Sequence, residues 1–221
     1  MDYALTANGA RIIETRTGKV LEEHLLSKEV AKKAIAIGRK YDTLLEVYFD
    51  GQGYAQKDEI AQVRKYHKNP NMWDYFLRTR IAVDSLEDLL DEKEGNLDKV
   101  QMLFADMEER EEAWKELERE GVFELVGSLQ YNIEINAVGV NKGTGLVNLG
   151  KMLGIRREEI MACGDGDNDI AMLKEVGFGV AMANAEEKVK AVADYITESN
   201  NDEGVAKAIE KFVLKRGGEL C

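Results

Sequence analysis

The stretch ACGDGDNDIAML, residues 162–173, decides how the chain is read. Asp165, Asp167, Asn168 and Asp169 crowd between the apolar run EEIMAC and the helically spaced run IAMLKEV. A strand-to-helix turn with that much negative charge is either a solvated turn or the seat of a divalent cation. A hard cation such as Mg²⁺ takes one or two carboxylates and keeps other positions for water and substrate phosphate. Asp165, at the strand end, fits as a direct ligand. Asp169, one turn into the helix, fits as a ligand through water or as a group that orients the others. The Asn168 amide suits a phosphate oxygen, and Gly164 and Gly166 permit the tight backbone. Asp167 needs no role beyond a solvated turn or a helix cap.

Other metal and phosphate motifs fail on spacing. An EF-hand loop starting at Asp165 needs Gly at its sixth position and Glu at its twelfth; these are Ile170 and Val176. The segment GVNKGTG places its lysine before the glycine, so it is not a Walker loop, and GDGDND lacks the third glycine of a dinucleotide fingerprint.

Outward from the turn, strand and helix alternate. KGTGLVNLGKMLG reads as a helix, EEIMACGD as a buried strand, NDIAMLKEVG as a helix and FGVAMAN as a strand. AEEKVKAVA reads as a helix capped by Asn184, YIT as a short strand and EGVAKAIEKFVLK as a last helix. Such alternation predicts a parallel sheet with helices on its faces, in which ligands bind beyond the carboxyl ends of the strands. The acidic turn lies at such an end. Residues 11–136 differ: paired strands at RIIETRTGKVLEEHLL and TLLEVYFDGQGYAQ mix with separate helices at 27–41, which Ser27 can cap, at 57–67, at 85–95, ended by Gly95, and at 108–120, ended by Gly121. The stretch NPNMWDYFLRTRIAV has no clear period. The expected fold class is therefore α/β with an inserted α+β unit.

Composition bounds the function. The 221 residues carry a net charge of −12, concentrated in DSLEDLLDEKEG and DMEEREEAWKELERE. Those stretches read as solvated helix faces, and the overall charge argues against nucleic acid as a partner. No apolar run approaches a membrane span, and the start lacks a signal-peptide layout. Cys163 and Cys221 form no disulfide framework or metal pair, which fits a reducing cytoplasm. Cys163 reads as a small buried hydrophobe. Only His24 and His67 are present, far apart, so a histidine triad or zinc site is not expected.

The segment from Lys142 to the last helix, with K-G, G-D-G-x-N-D-x-x-M-L, V-A-M-x-N-A and N-D-E-G-V-A in order, resembles the carboxyl-terminal core of haloacid dehalogenase (HAD) superfamily phosphatases, within them the Cof-like subfamily. DYALTANGARI and GKVLEEHLLS resemble the segment that leaves that core and enters its cap. The resemblance implies a HAD-like parallel Rossmannoid sheet formed by 1–10 and 137–221, lacking its amino-terminal part, with an α/β cap at 11–136. It implies a Mg²⁺-dependent phosphomonoester hydrolase acting on sugar phosphates or similar small phosphorylated metabolites. Asp165 and Asp169 then resemble the metal aspartates, Asn168 the phosphate-binding asparagine, and Lys142 the catalytic and substrate-binding lysine.

The family's nucleophile sits in a D-x-D-G-T motif, and none occurs here; VYFDGQG has Tyr48 at the nucleophile position. The expectation is a truncated form, inactive by itself. The alternatives are a non-catalytic binding or regulatory fragment, or one part of a two-chain assembly. Unpaired strand edges at 3–7 and 159–163 would invite self-association. In the cap, Trp73, Tyr75 and Phe76 are a candidate sugar-stacking cluster, weighed against ordinary core. Asp50-Gly51-Gln52 is a candidate specificity loop, weighed against an ordinary hairpin turn. Asn8 could border the site or serve only its turn.

Overall fold

A computed structural model of the chain describes residues 1–214. Cys221 lies outside them. The chain divides into two compact units, Met1–Asn141 and Lys142–Cys221.

The first unit opens with an antiparallel meander of β1 (Tyr3–Thr6), β2 (Arg11–Glu14) and β3 (Lys19–Glu23). The Gly18 turn between β2 and β3 has φ +72°, a conformation that favours glycine. Strand β1, expected in the sheet of the carboxyl-terminal half, is hydrogen-bonded here to β2 and has no strand on its other edge among the described residues.

The larger sheet holds β4 (Thr43–Phe49), β5 (Gln52–Gln56), β6 (Arg80–Val83), β7 (Lys99–Phe104), β8 (Glu124–Val126) and β9 (Asn132–Asn136), in the order β6-β5-β4-β7-β9-β8. Its pairings are antiparallel except β5 with β6. Asp50 and Gly51, at φ 51° and 78°, make the two-residue turn joining β4 to β5. The unclear stretch at 69–83 becomes the helix Trp73–Thr79 followed by edge strand β6. The expected helix after residue 56 is broken at Gln62 into Lys57–Ala61 and Val63–Tyr66.

Alternation gives this sheet two different faces. Leu45, Val47 and Phe49 of β4, Val100, Met102 and Phe104 of β7, and Ile133 and Ile135 of β9 are buried against the helices Lys28–Gly38, Leu86–Glu92 and Met107–Glu120. Those helices carry clear end signals. Ser27 accepts from Val30 N, Asp106 from Glu108 N, and Gly121 ends the third at φ 64°. The acidic residues of the third face outward, and Ala113 and Leu117 face the sheet. Of the aromatic cluster, Phe76 is core while Tyr75 is 49% exposed.

The opposite face carries a second apolar cluster, Leu44, Ala55 and Leu103 against Val63, Tyr66 and Phe76, and beside it a polar row. Glu46, Gln101 and Glu134 are cross-strand neighbours. Gln101 Nε2 donates to Glu46 (2.9 Å), Arg80 pairs with Glu46, and Lys99 Nζ lies 2.8 Å from Glu134. Asn8, in a left-handed turn at φ 59°, donates to Glu134 (2.6 Å). Burial pushes the Glu134 carboxyl up. The charge of Lys99 and the hydrogen bonds from Lys99, Ser128 and Asn8 together outweigh it and hold the group below the ordinary carboxylate range.

The second unit alternates as expected. The helix Lys142–Leu153 leads to β10 (Met161–Gly164), the helix Ile170–Glu175, β11 (Phe178–Ala181), the helix Glu187–Lys190, β12 (Tyr195–Ile196) and the helix Gly204–Ile209. The three strands are parallel. Leu173, Ala181, Ala185 and Val189 form the core beneath the acidic turn. No strand pairs with the other edge of β10 among the described residues. An apolar groove lined by Leu146, Leu149, Leu153, Ile155, Ile160 and Met161 adjoins it.

Leu45 is fully buried and Val20 is 39% exposed. Leu45→Ala is expected to cost about 2–5 kcal/mol in urea denaturation, and Val20→Ala to stay within about 0.5 kcal/mol of the parent. Glu134 gives a pH signature. Its folded pKa lies below its unfolded value, so its contribution is present above the unfolded value, about pH 4.3, and is lost as pH falls through the folded one. Glu134→Gln should therefore flatten the decline of stability below about pH 4.3; an unchanged slope contradicts this assignment.

Candidate active site

The acidic turn leaves β10 at Gly164, makes a short 3-10 turn at Asp167–Asp169 and enters the helix Ile170–Glu175. Asp169 is at the junction, 6% exposed. Its Oδ2 accepts from the backbone N–H of Asp165 and of Gly166, both at 2.9 Å. The fold-back brings its side chain against the backbone of β10. A Cβ on residue 164 would stand 2.5 Å from Asp169 Cβ, so only glycine fits there.

The other oxygen of Asp169 accepts from Lys142 Nζ at 2.6 Å. Lys142 opens its helix, where the backbone presents its positive end and an ammonium is disfavoured. Asp169 supplies the anion that offsets this. Gly143 sets the approach of the two helices: a Cβ there would stand 2.7 Å from the Ala171 carbonyl oxygen.

Asp165 is exposed. Its Oδ2 accepts from Asn184 Nδ2 at 2.9 Å, while its Oδ1 has no hydrogen bond among the described residues. Asp167 pairs with Lys188 at 2.5 Å on the surface. That hydrogen bond, against a smaller opposing effect of burial, raises the Lys188 ammonium above its ordinary range. Asn168 is half-buried between the two acids. Cys163, in β10 next to the turn, is half-buried, and burial pushes its thiol up.

Lys142, Asp165, Asn168 and Asp169, separated by 27 residues at most, are thus brought to one end of a parallel sheet. Two nearby groups escaped the sequence reading. Asn184 is not the expected helix cap: the helix Glu187–Lys190 starts after Glu186 and has no side-chain cap. The Asn184 side chain turns instead to Asp165 and the backbone of Asn200. Local capping statistics favoured the first reading. The position just past the carboxyl end of β11 pointed to the second. Lys188 gave no signal beyond an ordinary helix-surface lysine.

The donor set can be tested against a cation. Both oxygens of Asp169 are taken by donors, and Asp165 keeps Oδ1 open. No group of three His, Cys, Asp or Glu side chains suited to hold a metal occurs among the described residues. A protein-only metal cage does not fit. A hard cation held by one carboxylate, with water and a phosphate oxygen completing its shell, does.

A family model described as haloacid dehalogenase-like hydrolase matches residues 1–209. The 5-amino-6-(5-phospho-D-ribitylamino)uracil phosphatase YcsE of Bacillus subtilis is 50% identical over 105 residues, 48% of this chain and 42% of that protein. A phosphoglycolate phosphatase of Methanosarcina acetivorans is 41% identical over 37% of this chain and 36% of its own length. The chain thus spans less than half the length of these two relatives. A second B. subtilis phosphatase, YwtE, is 27% identical over 91% of this chain and 71% of that protein. Among solved structures, a haloacid dehalogenase-like hydrolase from B. subtilis superimposes with a TM-score of 0.83 at 26% identity, covering 96% of this chain and 79% of that one.

The geometry separates the three aspartates by stability. Asp169→Asn removes the charge that holds Lys142 and points an amide at backbone donors; it should cost about 2 kcal/mol in urea denaturation. Asp167→Asn breaks only an exposed ion pair and should cost no more than about 0.5 kcal/mol. Equal costs contradict this description.

Proposed function

This chain belongs to the haloacid dehalogenase-like hydrolases, and we propose that its acidic turn serves Mg²⁺-dependent hydrolysis of a phosphomonoester, a sugar phosphate or similar small phosphorylated metabolite. The observation that carries the reading is the 2.6 Å contact of Lys142 with Asp169, beside an Asp165 carboxylate with one oxygen unclaimed. Phosphoryl transfer demands little of a protein beyond positioning and charge stabilisation where negative charge builds. Lys142, held at a fixed height above the turn, supplies that positive charge. Asp169 keeps its ammonium in place. Asn168 offers an amide to a phosphate oxygen. Mg²⁺, held by Asp165 with Asp169 behind it, would neutralise phosphate charge when bound. The relatives' names, phosphatases of a ribitylaminouracil phosphate and of phosphoglycolate, support a small phosphorylated substrate.

Residues 1–10 belong in this proposal to the core, with 11–136 as the cap. The unpaired outer edge of β1 supports that assignment. The 221 residues contain no D-x-D-G-T nucleophile motif, so they carry the charge-stabilising half of the reaction and no attacking carboxylate. A cytoplasmic setting and association through the β10 edge complete the reading.

Two outcomes test it. The chain should bind inorganic phosphate in calorimetry only with Mg²⁺ present, and Lys142→Ala should weaken that binding by about tenfold or more, the worth of one charged hydrogen bond. The same chain should not turn over p-nitrophenyl phosphate with Mg²⁺. Phosphate binding indifferent to both Mg²⁺ and Lys142 contradicts the site, and steady turnover contradicts the missing nucleophile.

A further inference from the structure

We propose that Asn184 is a positioning residue for Asp165, fixing which carboxylate oxygen faces a bound cation. The inference rests on the reading of Asp165 as the cation ligand. Asn184 lies three residues past the end of β11, and its side chain bridges two segments of the second unit. Its Oδ1 accepts from Asn200 N at 2.9 Å, and its Nδ2 donates to Asp165 Oδ2 at 2.9 Å. The two contacts determine each other. A backbone N–H can only donate, so the end of the amide facing Asn200 must be its oxygen. The end facing Asp165 is then the NH₂. The polarity of the Asp165 contact follows from a main-chain group and needs no assumption about the amide's orientation.

The main-chain anchor is itself held. Asn200 begins a 3-10 turn capped by Ser199, whose hydroxyl accepts from Asn201 N. Gly204 N donates to Ser199 O at 3.1 Å, and Thr197 Oγ1 donates to Gly204 O at 2.8 Å. A Cβ on residue 204 would stand 2.1 Å from the Glu198 carbonyl oxygen, so the loop closes only with glycine there. Glu203, at φ 60°, takes a left-handed conformation that costs a non-glycine residue energy, and the surrounding bonds hold it in place. The loop 197–204 therefore acts as a fixed mount for one end of the Asn184 amide.

For Asp165 the consequence is directional. Its backbone N–H goes to Asp169, and its Oδ2 goes to Asn184. With those two points fixed, Oδ1 is the oxygen left open. An exposed aspartate without such a partner would sample several rotamers and lose entropy on taking a cation. Groups that hold a metal ligand from behind typically contribute roughly 10- to 100-fold to metal affinity. Asn184 is well placed for that role, because its own oxygen is occupied and unavailable to the cation.

Mn²⁺, which accepts the same oxygen-rich octahedral shell, is the probe. Its binding to the full chain is followed by electron paramagnetic resonance, without any assay of turnover. Asn184→Ala should weaken Mn²⁺ binding roughly 10- to 100-fold while Asp165→Asn abolishes it. Asn200→Ala, which keeps the backbone donor, should leave affinity unchanged. Circular dichroism of each variant reports the fold. If Asn184→Ala does not fold, Asn184→Ser, too short to span to Asp165, takes its place; failure of both to fold makes Asn184 purely structural and overturns the proposal. Mn²⁺ affinity that falls with Asp165→Asn and not with Asn184→Ala also overturns it and leaves the cation site standing. Affinity insensitive to Asp165→Asn defeats the cation reading itself, and this proposal with it.

Discussion

Lys142 begins a helix, where the amide groups present a positive end and an ammonium is out of place. It stays because Asp169, almost wholly buried, points one oxygen at it and the other at two main-chain donors. That single carboxylate ties together the end of β10, the start of the helix Ile170–Glu175 and the start of the helix Lys142–Leu153. The packing accommodates it with two glycines: Gly164 leaves room for its side chain, and Gly143 lets the two helices close on each other. A buried charge without partners would cost several kcal/mol. Here both oxygens of Asp169 have donors, and Asp165 and Asp167 of the same turn face solvent.

This arrangement divides labour among chemically similar side chains. Asp169 has a donor on each oxygen and is therefore structural in what it touches, Asp167 pairs with Lys188 on the surface, and Asp165 is held by Asn184 through Oδ2 with Oδ1 open. Identical residue types within five positions thus take three roles, set by burial and by which donors surround each. The same logic governs the polar row of the six-stranded sheet. Glu46, Gln101 and Glu134 sit in a row across three strands, and Arg80, Lys99 and Asn8 satisfy them.

Much of this was legible in the sequence where the deciding signals are local. The acidic turn, the alternation after residue 137, the cap Ser27 and the stop at Gly121 each rest on neighbours a few residues apart. The readings that failed or stayed open depend on distant partners. Asn184 fits a local capping rule, and only the fold shows Asp165, 19 residues away in sequence, taking its amide. Strand β6 has no alternating pattern because it is a half-exposed edge, so 69–83 gave no period. Asn8 suited its own turn, yet its side chain reaches Glu134, 126 residues on.

The account turns on Asp165 offering its open oxygen while Asp169 stays locked to Lys142. A crystal structure of the chain with Mg²⁺ and inorganic phosphate tests that most directly. The account predicts one ion with Asp165 Oδ1 in its coordination shell, and Lys142 still within hydrogen-bond reach of Asp169 Oδ1. An ion bound directly by Asp169 with Lys142 swung away, or an ion seated at another part of the chain, would contradict it.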